Sequence, residues 1–122
     1  MFYCIVTGSY SSIDYQVFCK KMDHLLKNTP NACIVYGLSN ELGEHVRRYV
    51  GEHDCKSKEF GLDRNSYGNA AYIMRDREMC EYVSSQGKAG MVIFKDVSKN
   101  VEHSIKLAKE FNIDLRIVEY IA

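Results

Sequence analysis

The stretch Ala-Gly-Met-Val-Ile-Phe, residues 89–94, decides the fold class, because it has the composition of a fully buried strand. Two similar runs of β-branched and aromatic residues lie earlier in the chain, at 1–6 and 32–36, and another lies at 115–121. Residues 55–60 are more polar and predict a weaker strand at a sheet edge. Four or five strands are therefore expected.

Apolar residues at helical spacing separate these strands. Phe18 and Met22 begin one such pattern, and Ser11 and Asp14 before them have the S-x-x-D spacing of a capping box. Further helical patterns are predicted over about 42–50, 70–84 and 101–108. Strands that alternate with helices predict one Rossmann-like α/β domain over residues 1–122, with a mainly parallel sheet flanked by helices. The residues expected at the centre of its core are Ile5, Ile34, Val92 and Ile117.

The composition excludes several classes of protein. Apolar residues make up 46% of the 122 residues, and sixteen basic side chains balance sixteen acidic ones. A chain with no net charge has no overall field that would draw it onto nucleic acid or an anionic membrane. The longest apolar runs are a few residues, far short of the roughly 20 that span a bilayer. Because residues 1–6 lack a basic leader, they predict a strand and not a signal peptide, so a cytoplasmic protein is expected.

The five cysteines form an odd set with no C-x-x-C pair. They lie mostly inside apolar segments, which is typical of buried free thiols. The four histidines are scattered and do not have the ligand spacing of a zinc site. We therefore expect no metal and no cofactor.

In a parallel α/β fold, ligands bind beyond the carboxyl ends of the strands. Three predicted loops lie there, at 8–12, 37–40 and 95–100, and each precedes a helix. Free backbone N–H groups at a helix N-terminus, together with small residues, favour phosphate binding. The residues of suitable composition are Thr7, Gly8, Ser9, Ser98, Lys99 and Asn100. Ordinary turn and capping chemistry stays open as the alternative for them.

The run Arg75-Asp76-Arg77-Glu78 falls early in the third predicted helix. Arg75 or Arg77 could act as a planar fork for phosphate, or Arg75 and Glu78 could form a solvated surface pair. Tyr10, Tyr36 and Tyr67 lie in or beside the candidate loops and could stack a base. The chain has no G-x-G-x-x-G, Walker or G-x-S-x-G motif, which argues against a dehydrogenase, a P-loop enzyme and a triad hydrolase.

The stretch Tyr-Gly-Asn-Ala-Ala-Tyr-Ile-Met-Arg-Asp-Arg-Glu-Met, residues 67–79, read together with Thr-Gly-Ser at 7–9, resembles the SLOG superfamily. More narrowly, it is similar to the small, often phage-encoded branch related to Smf/DprA and to the Lonely Guy enzymes. The resemblance implies a pocket for a nucleotide or a nucleotide-derived ligand, and some branches hydrolyse an N-glycosidic bond. The residues that the resemblance places in its lining are Thr7, Gly8, Ser9, Gly37, Ser39, Arg75, Arg77 and Glu78. The candidate loops add Tyr10, Leu38, Ser98, Lys99 and Asn100 to the predicted site.

The chain departs from that family at two arginines and two glycine-rich loops. Tyr10 stands where the family has an arginine, residues 36–41 replace G-G-A-R-G-A-D, and Asn100 and Val101 replace a late G-T. These losses remove cationic contacts to phosphate and favour a non-catalytic sensor or sequestering protein. An N-glycosidase with Glu78 as its acid or base, and a protein-interaction scaffold with a degenerate pocket, are the alternatives. The expected partner is a nucleotide-derived small molecule. Binding to a membrane or to nucleic acid is not expected, and the sequence leaves open whether the protein forms a homo-oligomer.

Overall fold

The computed structural model describes residues 1–9, 12–38 and 41–121. Within them, five parallel strands form one sheet in the order β3-β2-β1-β4-β5. The strands are β1 (Phe2–Gly8), β2 (Cys33–Gly37), β3 (Lys56–Phe60), β4 (Lys88–Asp96) and β5 (Asp114–Tyr120). The prediction of an α/β fold with a mainly parallel sheet is confirmed, and every strand pair described is parallel.

Helices connect the strands in the order that the sequence predicts. They are α1 (Tyr15–Leu26), α2 (Glu41–Glu52), α3 (Arg64–Tyr67), α4 (Ala71–Gln86) and α5 (Glu102–Glu110), with a 3₁₀ turn at Gly68–Ala70. The α3 helix lies between the strand predicted at 55–60 and the helix predicted over about 70–84, where the sequence predicts neither a helix nor a strand. It has four residues and buries none of them, so it leaves no apolar periodicity in the sequence.

The two faces of the sheet carry separate apolar clusters. On one face α1 and α2 pack on alternate residues of the central strands, such as Val6 and Ile34. On the other face α4 and α5 pack on the intervening residues, such as Ile5 and Val35. Burial on both faces explains why the central strands β1, β2 and β4 have nearly continuous apolar sequences.

The edge strands differ from each other in how well the sequence predicted them. The strand β3 is exposed along most of its length, which confirms its prediction as a polar edge strand. The strand β5 forms the other edge, and Ile117 in its middle is 41% exposed. The expectation that Ile117 lies at the centre of the core is therefore wrong, whereas Ile5, Ile34 and Val92 are buried as predicted.

The start of α1 also differs from the prediction. Asp14 has a non-helical backbone and is the N-cap, and its carboxylate accepts a hydrogen bond from the Val17 N–H at 3.2 Å. The capping-box prediction, which placed Asp14 inside the first turn, is wrong. Its other member, Ser11, lies outside the described residues.

Candidate functional site

A cleft of about 290 Å³ opens at the carboxyl ends of β1 and β4. These neighbouring strands mark the topological switch point of the sheet, because the chain runs from β1 to β2 and β3 on one side and to β4 and β5 on the other. The described residues that line the cleft come from the end of β1, from α4 and from the start of α5: Thr7, Gly8, Ser9, Arg75, Asp76, Lys99, Asn100, Val101, His103 and Ser104.

The end of β1 forms one wall of the cleft. A Cβ atom at Gly8 would lie 2.3 Å from the carbonyl oxygen of Phe94, so only glycine fits there. Ser9 is buried, and its hydroxyl accepts a hydrogen bond from the Asp96 N–H at 2.9 Å. Its Oγ also lies 3.4 Å from the Tyr120 hydroxyl oxygen. The Ser9 hydroxyl therefore joins the ends of three strands and is held inside the fold.

The guanidinium of Arg75 lies beneath the cleft and is almost completely buried, with 5% of the residue exposed. Its Nε and Nη2 donate to Asp76 Oδ1 at 3.3 and 3.1 Å, and its Cζ lies 5.4 Å from the centre of the Tyr72 ring. It packs so closely on β2 that a Cβ atom at Gly37 would come within 2.5 Å of it. A glycine at 37 thus makes room for a buried cation beside the switch point.

Asp76 is the carboxylate among the described lining residues, and it is mostly buried. Burial raises the pKa of Asp76, while the neighbouring Arg75 and His103 oppose that shift. His103 approaches the second carboxylate oxygen, with 3.6 Å between its Nε2 and Oδ2. A buried carboxylate, a buried guanidinium and an imidazole thus meet inside one cleft, an arrangement typical of functional sites.

The start of α5 forms the opposite wall. Asn100 Oδ1 accepts a hydrogen bond from the Glu102 N–H at 2.7 Å, which forms an Asx turn just before α5, whose N-cap is Val101. Lys99 precedes it in an exposed turn, where its own N–H donates to the Asp96 carbonyl at 2.9 Å. The Lys99 side chain supplies a second cation to the cleft.

The structure brings six of the predicted site residues together in the cleft: Thr7, Gly8, Ser9, Arg75, Lys99 and Asn100. Gly37 lies behind them against Arg75, together with a small void of about 10 Å³. Tyr10 and Ser39 lie outside the described residues.

The other predicted residues lie elsewhere. The Leu38 N–H donates to the Phe60 carbonyl at 3.2 Å, and the Ser98 N–H donates to Asp96 Oδ1 at 3.1 Å in the turn after β4. Arg77 forms a surface ion pair with Glu110, with nitrogen-to-oxygen distances of 2.6 and 3.0 Å. Glu78 is exposed and is absent from the described lining. Of the two arginines considered for phosphate binding, Arg75 is therefore the one in the cleft.

The predicted site lacked four of the described lining residues: Asp76, Val101, His103 and Ser104. Asp76 lay in the charged run from which only the arginines and Glu78 were selected, and its burial is not visible in the sequence. His103 lies three residues beyond Asn100, so extending the predicted loop by the first turn of the following helix would have included it.

A larger groove of about 450 Å³ lies at the opposite end of the sheet, between the end of α1 and strands β4 and β5. Among its lining residues are Phe2, Leu25, His24 and Arg116. It is at the amino ends of the strands, where parallel α/β folds do not ordinarily bind ligands. We therefore assign the candidate site to the smaller cleft, on the basis of its position and its buried charges.

Among the described residues, no three His, Cys, Asp or Glu side chains are grouped so as to hold a metal ion. No helix described is both long enough and apolar enough to cross a membrane. All five cysteines are described, as thiols outside any disulfide. Comparisons of the chain with protein-family models, with curated proteins and with solved structures give no match.

Proposed function

We propose that the cleft binds a nucleotide or a nucleotide-derived anion and that the protein is a non-catalytic sensor or sequestering protein. The observation that carries the proposal is the buried guanidinium of Arg75 at the switch point of a parallel sheet. Ligands of open α/β sheets bind at that point, and a guanidinium is the side chain best suited to a phosphate.

The charge of the cleft supports an anionic ligand. Arg75 and Lys99 oppose the single carboxylate of Asp76 among the described lining residues, so the cleft is cationic even when His103 is neutral. The first turn of α5 adds the positive end of a helix dipole on the same side. An anion that enters the cleft therefore meets a favourable field from two of its walls.

The size of the cleft supports a small ligand. A volume of about 290 Å³ lies at the lower end of the range of small-molecule sites, roughly 300 to 1,000 Å³. A mononucleotide is of this size. Tyr67, considered above for stacking a base, is 40% exposed before α4 and is absent from the described lining of the cleft.

A binding role is favoured over catalysis because the described lining of the cleft has few side chains that could act as a general acid or base. Glu78, the acid or base that the resemblance implies, is exposed and outside the described lining. Asp76 Oδ1 already accepts from Arg75, and Asp76 Oδ2 faces His103 Nε2 at 3.6 Å. General acid–base catalysis needs a group within hydrogen-bond reach of the reacting atom.

Calorimetric titration of a panel of nucleoside mono-, di- and triphosphates tests the proposal. Lys99→Ala is the first variant, because this exposed side chain can be removed without disturbing the core. Arg75→Ala is the second, with its folding checked by circular dichroism. A charge-assisted contact contributes about 1.5 to 3 kcal/mol, so each variant should bind roughly tenfold or more weakly than the wild type.

Two matched variants serve as controls. Arg77→Ala removes an arginine that pairs with Glu110 on the surface, and Lys109→Ala removes an exposed lysine at the far end of α5. Both should bind like the wild type. The proposal is wrong if no member of the panel binds, or if Lys99→Ala and folded Arg75→Ala bind as tightly as these controls.

Asp76 favours one alternative, hydrolysis of a nucleoside monophosphate at its N-glycosidic bond. A buried carboxylate whose pKa is raised by burial can act as a general acid. In that case the wild-type protein would release free base from AMP, and Asp76→Asn would abolish the release while Glu78→Gln would not. We expect no release above a buffer blank.

A further inference from the structure

Asp76 and His103 face each other inside the cleft at a distance slightly too long for a hydrogen bond. The 3.6 Å between Asp76 Oδ2 and His103 Nε2 is longer than a hydrogen bond. The other oxygen, Oδ1, accepts from two nitrogens of Arg75. The Asp76 side chain is 15% exposed and that of His103 is 44% exposed, and both residues line the cleft.

The position of His103 sets two opposing influences on its charge. It lies in the first turn of α5, where the helix dipole disfavours a cation. Asp76 faces it from α4 and favours a cation. A bound anion would add a second negative charge beside the ring. Histidine is the side chain whose charge ordinarily changes near neutral pH.

We propose that His103 takes up one proton from solvent when the cleft binds an anionic group such as phosphate, so that anion affinity falls as the pH rises. The inference rests on the anion site proposed above and adds its regulation by pH. No covalent bond to the ligand is made or broken. With His103 neutral, the Asp76 carboxylate repels an incoming anion, whereas a protonated ring adds a positive charge 3.6 Å from that carboxylate and offsets the repulsion.

Burial raises the pKa of Asp76, so protonation of this carboxylate is the competing source of pH dependence, and Asp76→Asn should keep the dependence if His103 is the source. The other charged groups near His103 do not replace it. Lysine and arginine stay protonated near neutral pH, and the β1 wall contributes Thr7, Gly8 and Ser9, which carry no charge. The carboxylates on the same helix are Glu102, which is exposed, and Glu110, which pairs with Arg77 at the far end of α5. The charged groups that line the cleft with His103 are Arg75 and Asp76 on α4 and Lys99 in the preceding turn. The remaining charged residues on these two helices are Arg77, Glu78 and Glu81 on α4, and Glu102, Lys106, Lys109 and Glu110 on α5.

Sulfate is the probe for the test, because it carries two negative charges and does not itself titrate near neutral pH. Its dissociation constant is measured by NMR from the ring proton signals of the histidines at pH 6 and pH 8, with ionic strength held constant by chloride. For a coupling between one proton and one anion, we expect the wild-type dissociation constant to rise about tenfold from pH 6 to pH 8.

Three variants separate the contributions of His103 and Asp76 to sulfate binding. His103→Gln should bind sulfate with the affinity that the wild type has at pH 8, and with no dependence on pH. Asp76→Asn should bind more tightly than the wild type at pH 8, because the opposing carboxylate is gone. His24→Gln is the matched control, since His24 lies at the opposite end of the sheet, and it should keep the full dependence.

The outcomes separate this inference from the proposed function. If nucleotides bind but sulfate binding does not change with pH, or if His103→Gln keeps the change, the inference fails and the proposed function stands. The inference also fails if sulfate does not bind at either pH. If sulfate binding is linked to His103 but no nucleotide binds, the anion site is retained and the nucleotide assignment fails.

Discussion

At Gly8, the last residue of β1, the strand comes close to the backbone of β4. A Cβ atom there would lie 2.3 Å from a backbone oxygen of Phe94, which cannot move without disturbing the strand pairing. We expect Gly8→Ala to lower the free energy of unfolding by about 1–3 kcal/mol, measured by urea denaturation.

The control for Gly8→Ala is a glycine with open space around it. A Cβ atom at Gly51, inside α2, would meet nothing within 4 Å. Gly51→Ala should therefore raise the free energy of unfolding, by about 0.5–1 kcal/mol, because alanine favours a helix. A loss of stability at Gly51 or none at Gly8 would contradict the close approach of β1 to β4.

At the same scale, the candidate site could be predicted only in part. Arg75 and Arg77 are two residues apart, so on a helix they point about 200° away from each other. One of them at most can face the cleft, and the sequence does not tell which. The choice depends on the phase of α4, which is set by tertiary packing: Arg75 lies four residues from both Ala71 and Met79, on the buried side.

At the scale of the secondary-structure elements, the start of α1 allows the contribution of one N-cap to the free energy of unfolding to be measured. The Asp14 carboxylate accepts from the Val17 N–H, and the helix behind it buries Phe18 and Met22 in the core. Replacing an N-cap aspartate by alanine costs about 1 kcal/mol of stability. We expect Asp14→Ala to show this loss in urea denaturation, and Asp14→Asn to recover most of it.

The cap of α3 offers a matched comparison. Asp63 caps it in the same way, accepting from the Ser66 N–H at 3.0 Å, but α3 buries no residue. Asp63→Ala should therefore cost less than half of what Asp14→Ala costs, since α3 can fray without exposing the core. Equal losses for the two variants would mean that the cap contributes independently of the packing behind it.

At the scale of the whole molecule, the sequence predicts which segments form the sheet and its flanking helices better than it predicts which strands lie next to each other. Apolar runs such as residues 89–94 identify buried strands, and alternation with helices identifies a parallel sheet. The side of β1 on which β4 lies is a pairing between distant residues and leaves no local pattern. Ile117 shows the consequence: its β-branched side chain predicts a buried strand, yet the edge position of β5 leaves it 41% exposed.

Because two thiols are buried, the free energy of unfolding of the whole molecule changes with pH in the alkaline range. Burial raises the pKa of Cys4, on the α1–α2 face, and of Cys80, on the α4–α5 face, to about 12 from 9.0. In the unfolded chain both thiols ionise near pH 9, whereas the folded state keeps them protonated. The contribution of these two protonated thiols to the free energy of unfolding is therefore fully present below pH 9 and is lost as the pH rises from 9 towards 12.

We expect the free energy of unfolding to fall by about 1–2 kcal/mol for each of these thiols between pH 8.5 and 10.5, measured by urea denaturation at a series of pH values. Cys80→Ala is less stable than the wild type at pH 8.5, because it leaves a cavity, but its stability should fall less steeply as the pH rises. Val83→Ala, which removes a buried side chain one turn further along α4 without removing a thiol, should keep the wild-type slope. Equal slopes for Cys80→Ala and Val83→Ala would show that the Cys80 thiol does not stay protonated in the folded state.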